Sequence, residues 1–254
     1  MSALLRLENV TKSFGGLIAV NDVSFCVEEG SIMGVIGPNG AGKTTVFNLI
    51  TGNYTADSGS IMFGNTSLLK KKPHEIVSLG IARTFQSIRL FSNLPVLENV
   101  LAGRHCRMKA GLLSSMFHSP AQRREEQAAI ERAMQELDFV GLTEFHAERA
   151  SSLSYGNQRL LEMARALASD TALIILDEPA GSMNQPETEI LVALIRKIRE
   201  RGITVMLIEH DMGLVMQACE KLIVLEYGVK IADGPPEAVR NDPQVIEAYL
   251  GQDD

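Results

Sequence analysis

Cysteine is scarce: Cys26, Cys106 and Cys219 are the whole complement. They are odd in number, scattered, and at no metal-binding spacing. Neither a disulfide framework nor a zinc site is therefore expected, and a reducing compartment is. Long hydrophobic runs are missing too. No apolar stretch approaches the roughly 18 residues of a membrane-spanning helix. The opening MSALLRLENV has no basic start followed by a long apolar core, so no signal peptide is expected. An excess of positive charge is also absent. The formal net charge is −7 and the sequence pI about 5.3, which argues against general nucleic-acid binding, a task for a basic surface. There is no internal repeat and no low-complexity segment. What is present is a chain of 254 residues, 45% hydrophobic, enough for one large domain or two modest ones.

The stretch with the most chemistry is Ser31 to Gly52. Ile32 to Ile36 is apolar without alternation and reads as a fully buried strand. Gly37-Pro38-Asn39-Gly40-Ala41-Gly42-Lys43-Thr44 then fits G-x-x-x-x-G-K-[ST], with Thr45 beyond it. Val46, Phe47, Leu49 and Ile50 follow with helical spacing, and Gly52 is a stop signal. Strand, glycine-rich loop and helix form a phosphate cradle, because backbone N–H groups at a helix N-terminus hold anions and glycines let them approach. Lys43 is expected to reach the β- and γ-phosphates, and the Thr44 hydroxyl to bind Mg2+.

Along the chain, residues 3–30 read as short, largely antiparallel strands punctuated at Gly15-Gly16 and Glu29-Gly30. Phe14 lies there, able either to stack on a base or to fill a core. Ser60 to Phe63 reads as a strand, Pro73 to Leu79 as a short helix, and Ile81 to Phe85 as a strand ending at Gln86. A glutamine at that end faces the crevice where α/β sheets bind ligands. From Ser87 to about Ser152 the pattern is a mainly helical insert, with helices over Val96–Cys106 and Ser119–Val140 and a loop over Lys109–Phe117. Leu90, Phe91, Leu94 and Val96 form either an apolar docking rim or the insert's own core. The α/β pattern resumes with helices over Asn157–Ala168, Pro186–Arg201 and Asp211–Ala218 and strands over Ala172–Leu176 and Ile203–Ile208. A hairpin around Tyr227-Gly228 follows, then short helices Pro236–Arg240 and Pro243–Leu250.

Leu173 to Leu176 ends in Asp177-Glu178, and a buried strand ends in charge only when something at its tip needs charge. With the phosphate loop upstream, Asp177 is expected to hold Mg2+ and Glu178 to act as general base on the attacking water. His210, also at a strand tip, can hydrogen-bond the γ-phosphate. Leu153-Ser154-Tyr155-Gly156-Asn157-Gln158 opens another helix, where Ser154 is either an N-cap or part of a second anion site serving another molecule's nucleotide.

These residues together resemble the nucleotide-binding subunits of ABC transporters across essentially the whole chain. GPNGAGKT resembles the Walker A motif, Gln86 the Q-loop, and LSYGN the signature LSGGQ. LIILDE resembles Walker B, Ala180 to Asn184 the D-loop, and His210 the switch histidine. The resemblance implies an α/β P-loop NTPase fold with a mainly parallel sheet and an N-terminal antiparallel β subdomain. The core spans 1–86 and 153–254, and a helical subdomain spans 87–152. It further implies a head-to-tail dimer that sandwiches two ATP, with Phe14 stacking on adenine and Ser154 and Gly156 contacting the γ-phosphate in trans. Gln86 joins Thr44 and Asp177 around Mg2+, and the insert docks on an integral-membrane permease at the cytoplasmic face of the inner membrane.

Within the family, FGGLIAVNDVSF, ARTFQSIRLFSNLPVLENV, IEHDM and PQVIEAYLG look like the longer ATPase subunit of bacterial branched-chain amino acid importers. That implies a second ATPase subunit as partner and, indirectly, an extracytoplasmic solute-binding protein. Urea or amide uptake and lipopolysaccharide export use similar subunits. A soluble ABC-type switch on ribosomes or DNA and a P-loop kinase are further alternatives. Two departures stand out: Asn157 replaces the final glutamine of the signature, and Asn184 stands where many relatives carry aspartate.

Overall fold

The computed structural model describes residues 2–104, 120–181 and 183–250. They fall into two compact units, residues 1–76 with 175–254 and residues 77–174. The expected loop Lys109–Phe117 and the end of the helix expected to reach Cys106 lie outside the described residues.

The first unit opens with two twelve-residue strands, β1 (Ala3–Phe14) and β2 (Leu17–Glu28), paired antiparallel. They are longer than their apolar runs because pairing continues through register shifts as far as Phe14↔Leu17, beyond the buried residues. With β4 (Ser58–Phe63) and β5 (Thr66–Ser67) they form a sheet of order β2-β1-β4-β5. The inward alternation of Leu5, Leu7 and Val10 against Ile61 and Phe63 makes its core.

The second sheet carries the chemistry. β3 (Ile32–Ile36) is buried along its whole length, as its lack of alternation predicts. It pairs parallel with β8 (Thr204–Ile208) and with β9 (Lys221–Glu226), and β10 (Val229–Gly234) closes that edge antiparallel to β9. The order is β10-β9-β3-β8-β7, where β7 (Leu173–Asp177) is again buried throughout. Its helices are α1 (Lys43–Ile50), α2 (Pro73–Ser78), α6 (Gln185–Glu200), α7 (Met212–Ala218), α8 (Pro236–Arg240) and α9 (Pro243–Leu250). α6 buries Leu191, Leu194, Ile195 and Ile198, an i, i+3, i+4, i+7 stripe.

In the second unit β6 (Ile81–Arg83) stops two residues short of the expected Phe85. The Phe85 carbonyl accepts from the Arg159 guanidinium at 2.6 Å instead of from a neighbouring strand. Gly80 O, just before β6, accepts the N–H groups of Ala172 and Leu173 at 2.8 and 3.0 Å. α3 (Val96–Arg104), α4 (Pro120–Phe139) and α5 (Tyr155–Leu167) pack together. Gly103 lets α3 and α5 touch: a Cβ there would stand 2.1 Å from the Arg165 carbonyl oxygen. α5 starts two residues earlier than its apolar spacing indicates, because the Ser154 hydroxyl accepts the Asn157 N–H at 3.3 Å and so sets the cap.

Candidate functional site

In the first unit the loop between β3 and α1 is shaped by its neighbours. Gly37 has φ +142° and a Cβ on it would lie 2.0 Å from the Leu225 carbonyl oxygen. Gly42 has φ +99° and a Cβ would lie 2.5 Å from the Ala19 carbonyl oxygen. Both positions therefore exclude any side chain, on conformation and on space. Ala41 O accepts from Gly228 N at 3.0 Å, and Gly228 O from Asn21 N at 2.8 Å, so β2 and the β9–β10 turn hold the loop from behind. Gly42 is the N-cap of α1 and has no side chain to satisfy the first-turn N–H groups, which suits an anion. Pro38, Asn39, Gly40 and Ala41 complete the turn, and Thr44 and Thr45 begin the helix.

Lys43 folds back over this cradle. Its Nζ donates to Gly37 O at 2.5 Å and Pro38 O at 2.8 Å. Burial holds the ammonium below its ordinary pKa, while the Glu178 and Asp177 carboxylates pull it back up. Asp177 is buried at the end of β7. Glu178 follows with φ +46°, a left-handed conformation that a non-glycine residue adopts only when its surroundings impose it. Here its N–H donates to Ile208 O at 3.0 Å, tying the tip of β7 to the tip of β8. His210 Nδ1 stands 3.9 Å from Glu178 Oε1, beyond direct hydrogen-bond reach but close enough to act on the same substrate atoms. Lys43, Asp177, Glu178 and His210 are thus gathered at one end of the parallel sheet, where α/β folds bind ligands.

The metal question turns on the donor set. Among the described residues no three His, Cys, Asp or Glu side chains group to hold an ion by themselves. One carboxylate, Asp177, and one hydroxyl, Thr44, suit Mg2+, which keeps waters and takes its remaining oxygens from substrate phosphates.

Phe14 is 41% exposed, so it is not a core residue. Its ring and that of Tyr54 make a T-shaped pair with centroids 5.0 Å apart, and Lys12 Nζ lies 5.4 Å from the Phe14 centroid. Gln86, Ser154 and Gly156 belong to the second unit, Gln86 exposed beyond β6 and Ser154 and Gly156 at the N-terminus of α5. Phe91 and Leu94 of the apolar set are 53% and 38% exposed, whereas Val96 is fully buried and belongs to the core. Asn184 caps α6 in a reciprocal box: its Oδ1 accepts Glu187 N at 3.0 Å, and Glu187 Oε2 accepts Asn184 N at 2.9 Å.

A family model described as ABC transporter matches residues 20–181, well over half of the chain. The chain belongs to the ABC transporter family. A second model, described as branched-chain amino acid ATP-binding cassette transporter, matches residues 229–254. The chain is 45% identical over 250 residues to the high-affinity branched-chain amino acid transport ATP-binding protein BraF of Pseudomonas aeruginosa, covering 98% of each. It superposes on MJ1267, an ATP-binding cassette of an ABC transporter in its ADP conformation, with TM-score 0.87 and 34% identity, covering 99% of this chain and 100% of that one. MJ0796, a cassette with a dimeric structure bound to ADP and Pi, matches with TM-score 0.76 and 26% identity over 91% of this chain and 98% of its own. As an ABC ATPase the chain binds nucleotide and hydrolyses ATP, on the α/β P-loop fold expected from its motifs.

In this ABC ATPase one residue of the site escapes a motif reading. Glu209, 1% exposed, accepts N–H bonds from Ala180 at 2.9 Å, His210 at 3.1 Å and Asp211 at 3.4 Å. It joins the segment after Glu178 to the segment carrying His210, and burial pushes its carboxyl above the usual carboxylate range. The signal for it in the sequence is an acid directly after a fully buried strand. Cys219 is buried, and its thiol is pushed up to about 12, so it stays protonated.

Proposed function

We propose that this chain is the ATP-hydrolysing subunit of an importer of branched-chain or related amino acids. The observation that carries the reading is near full-length likeness to a branched-chain transport ATPase, joined to the cluster of Lys43, Asp177, Glu178 and His210 in the first unit. The match at residues 229–254 supports the same substrate class.

ATP is the substrate. Its phosphates are assigned to the backbone of Gly37 to Gly42, to Lys43, and to Thr44 and Thr45, and its adenine to Phe14, which is partly exposed. Thr44 and Asp177 would hold Mg2+, which would supply charge neutralisation on the phosphates, and Gln86 keeps the role the family resemblance gives it. Glu178 takes a proton from the attacking water as its oxygen bonds to the γ-phosphorus, and the bond from that phosphorus to the β–γ bridging oxygen breaks. His210, 3.9 Å from Glu178, orients the γ-phosphate and the nucleophile. Ser154 and Gly156 receive the γ-phosphate of a second ATPase subunit in a head-to-tail pair. The helical region 87–152, with Phe91 and Leu94 exposed, docks on permease subunits at the cytoplasmic face of the membrane. No helix among the described residues is long and apolar enough to cross a membrane itself. A solute-binding protein outside the membrane completes the system.

Glu178→Gln is expected to keep ATP affinity while lowering turnover by at least ~10³-fold, about 4 kcal/mol of barrier. Near wild-type turnover in that variant removes Glu178 from the mechanism. Deleting the gene in its own organism is expected to abolish high-affinity leucine uptake, and intact uptake overturns the assigned substrate class.

A further inference from the structure

α5 carries an unusual face. Tyr155, Arg159, Glu162 and Arg165 recur at i, i+4, i+7 and i+10, so they stack along one side of the helix. Arg159 is 3% and Glu162 1% exposed. Burying charges inside a unit is costly unless each is paired and hydrogen-bonded, and apolar side chains would pack there at least as well. The cost is offset by what these side chains hold. Arg159 Nη1 donates to Phe85 O at 2.6 Å and its Nη2 donates to Gln86 O. Nη2 also meets the Tyr155 hydroxyl at 3.0 Å, and Nη1 the Glu162 carboxylate at 3.3 Å. Glu162 Oε1 accepts the Arg89 N–H at 3.4 Å, and Arg165 donates to Arg89 O while pairing with Glu162 at 3.6 Å. The Phe85 ring lies between the Arg83 and Arg89 guanidinium groups at 5.2 and 4.2 Å.

Residues 84–89 have no helix or strand to satisfy their backbone. The Phe85, Gln86 and Arg89 carbonyls and the Arg89 N–H hang on α5 instead, through one side-chain ladder. We infer that Arg159, braced by Tyr155 and Glu162, is a positioning residue that locks Gln86 to the helix whose first residues are the signature, so that a change at Ser154 and Gly156 is passed to the Q-loop. This rests on the reading above, in which Ser154 and Gly156 meet a partner's nucleotide and Gln86 serves its own. Arg159 is suited to the task because a planar guanidinium forks onto two adjacent carbonyls, which an ammonium cannot.

The sequence contains no tryptophan, so a single one placed beside Gln86 reports on the Q-loop alone. The parent for the test is the full chain with Ser87→Trp and Glu178→Gln, with ATP and Mg2+ as the probe. Adding ATP is expected to form the dimer, seen by light scattering, and to shift the tryptophan emission. Arg159→Met is expected to bind a fluorescent ATP analogue and to dimerise like the parent, but to lose the emission shift. With Glu178 restored, the same substitution is expected to lower kcat by roughly 10–100-fold at unchanged KM for ATP. Should Arg159→Met fail to fold by circular dichroism, Arg159→Lys and Tyr155→Phe carry the test, since both keep the bulk of the ladder and weaken its grip. A full emission shift in a clamp variant that binds ATP and dimerises overturns the inference alone. A parent that neither binds ATP nor dimerises overturns the ATPase reading and this inference with it.

Discussion

At the scale of single residues, the site shows how charge is placed by what surrounds it. Lys43 is drawn down by burial and back up by two carboxylates, so its ammonium sits in a place that solvates it poorly but holds two opposite charges near it. Glu209 is the sharper case, because it is almost fully buried and accepts three backbone N–H bonds. Its carboxyl is raised above 4.5 by burial, so the folded state holds that proton more tightly than the unfolded chain does. Stability from this group is therefore present at low pH and is lost as pH rises through the folded-state value. Glu209→Gln does not titrate, so the stability of wild type relative to the variant is expected to fall as pH rises above the ordinary carboxylate range. Chemical denaturation of both proteins at several pH values measures it, and parallel curves over that rise in pH contradict the assignment.

At the scale of elements, caps and close approaches decide where the motifs end. Asn184, a departure from the usual D-loop aspartate, is occupied within its own chain as the N-cap of α6. Asn184→Ala is expected to cost about 1 kcal/mol, a fall of roughly 2–4 °C in Tm for a chain of this size. Asn184→Asp is expected to leave Tm nearly unchanged, because aspartate caps as well as asparagine. Thermal unfolding of the three proteins separates capping from any other role: equal losses in both variants contradict it. Ser154 does the same for α5, so its N-cap duty and its assignment to a partner's phosphate fall on one hydroxyl. The two are compatible, since the hydroxyl accepts from Asn157 N–H and keeps its own proton to donate.

At the scale of the whole molecule, the assignment of Ser154 and Gly156 to a neighbour's ATP leaves each chain with incomplete sites. Turnover per chain is then expected to rise with protein concentration until the dimer is saturated. Steady-state assays across a dilution series, with light scattering in parallel, test this. Undiminished turnover in a species that scatters as a monomer contradicts the shared site. The dimeric cassette MJ0796, bound to ADP and Pi, is the kind of assembly this reading requires. The two compact units of the chain divide its candidate residues: Lys43, Asp177, Glu178 and His210 in one, Gln86, Ser154 and Gly156 in the other.

Much of this was legible in residue order because its causes are local. A run without alternation, Ile32 to Ile36, could only be a strand covered on both faces, and the glycines after it could only be a turn pressed against backbone. Pro236–Arg240 and Pro243–Leu250 emerged with the bounds expected, each opening on a proline that suits a first helical turn. What the sequence could not decide was whatever depends on partners distant along the chain. Whether Phe14 is core or surface depended on its surroundings in the fold, where Tyr54, forty residues away, meets it in a T-shaped contact that leaves it 41% exposed. Where β6 stops depended on Arg159 taking the Phe85 carbonyl. That Glu209 is part of the site depended on Ala180, a neighbour only through folding. Periodicity and turn chemistry act over a few residues and are written in order, whereas the choice of a buried charge's partner belongs to packing and exists only once the chain has closed.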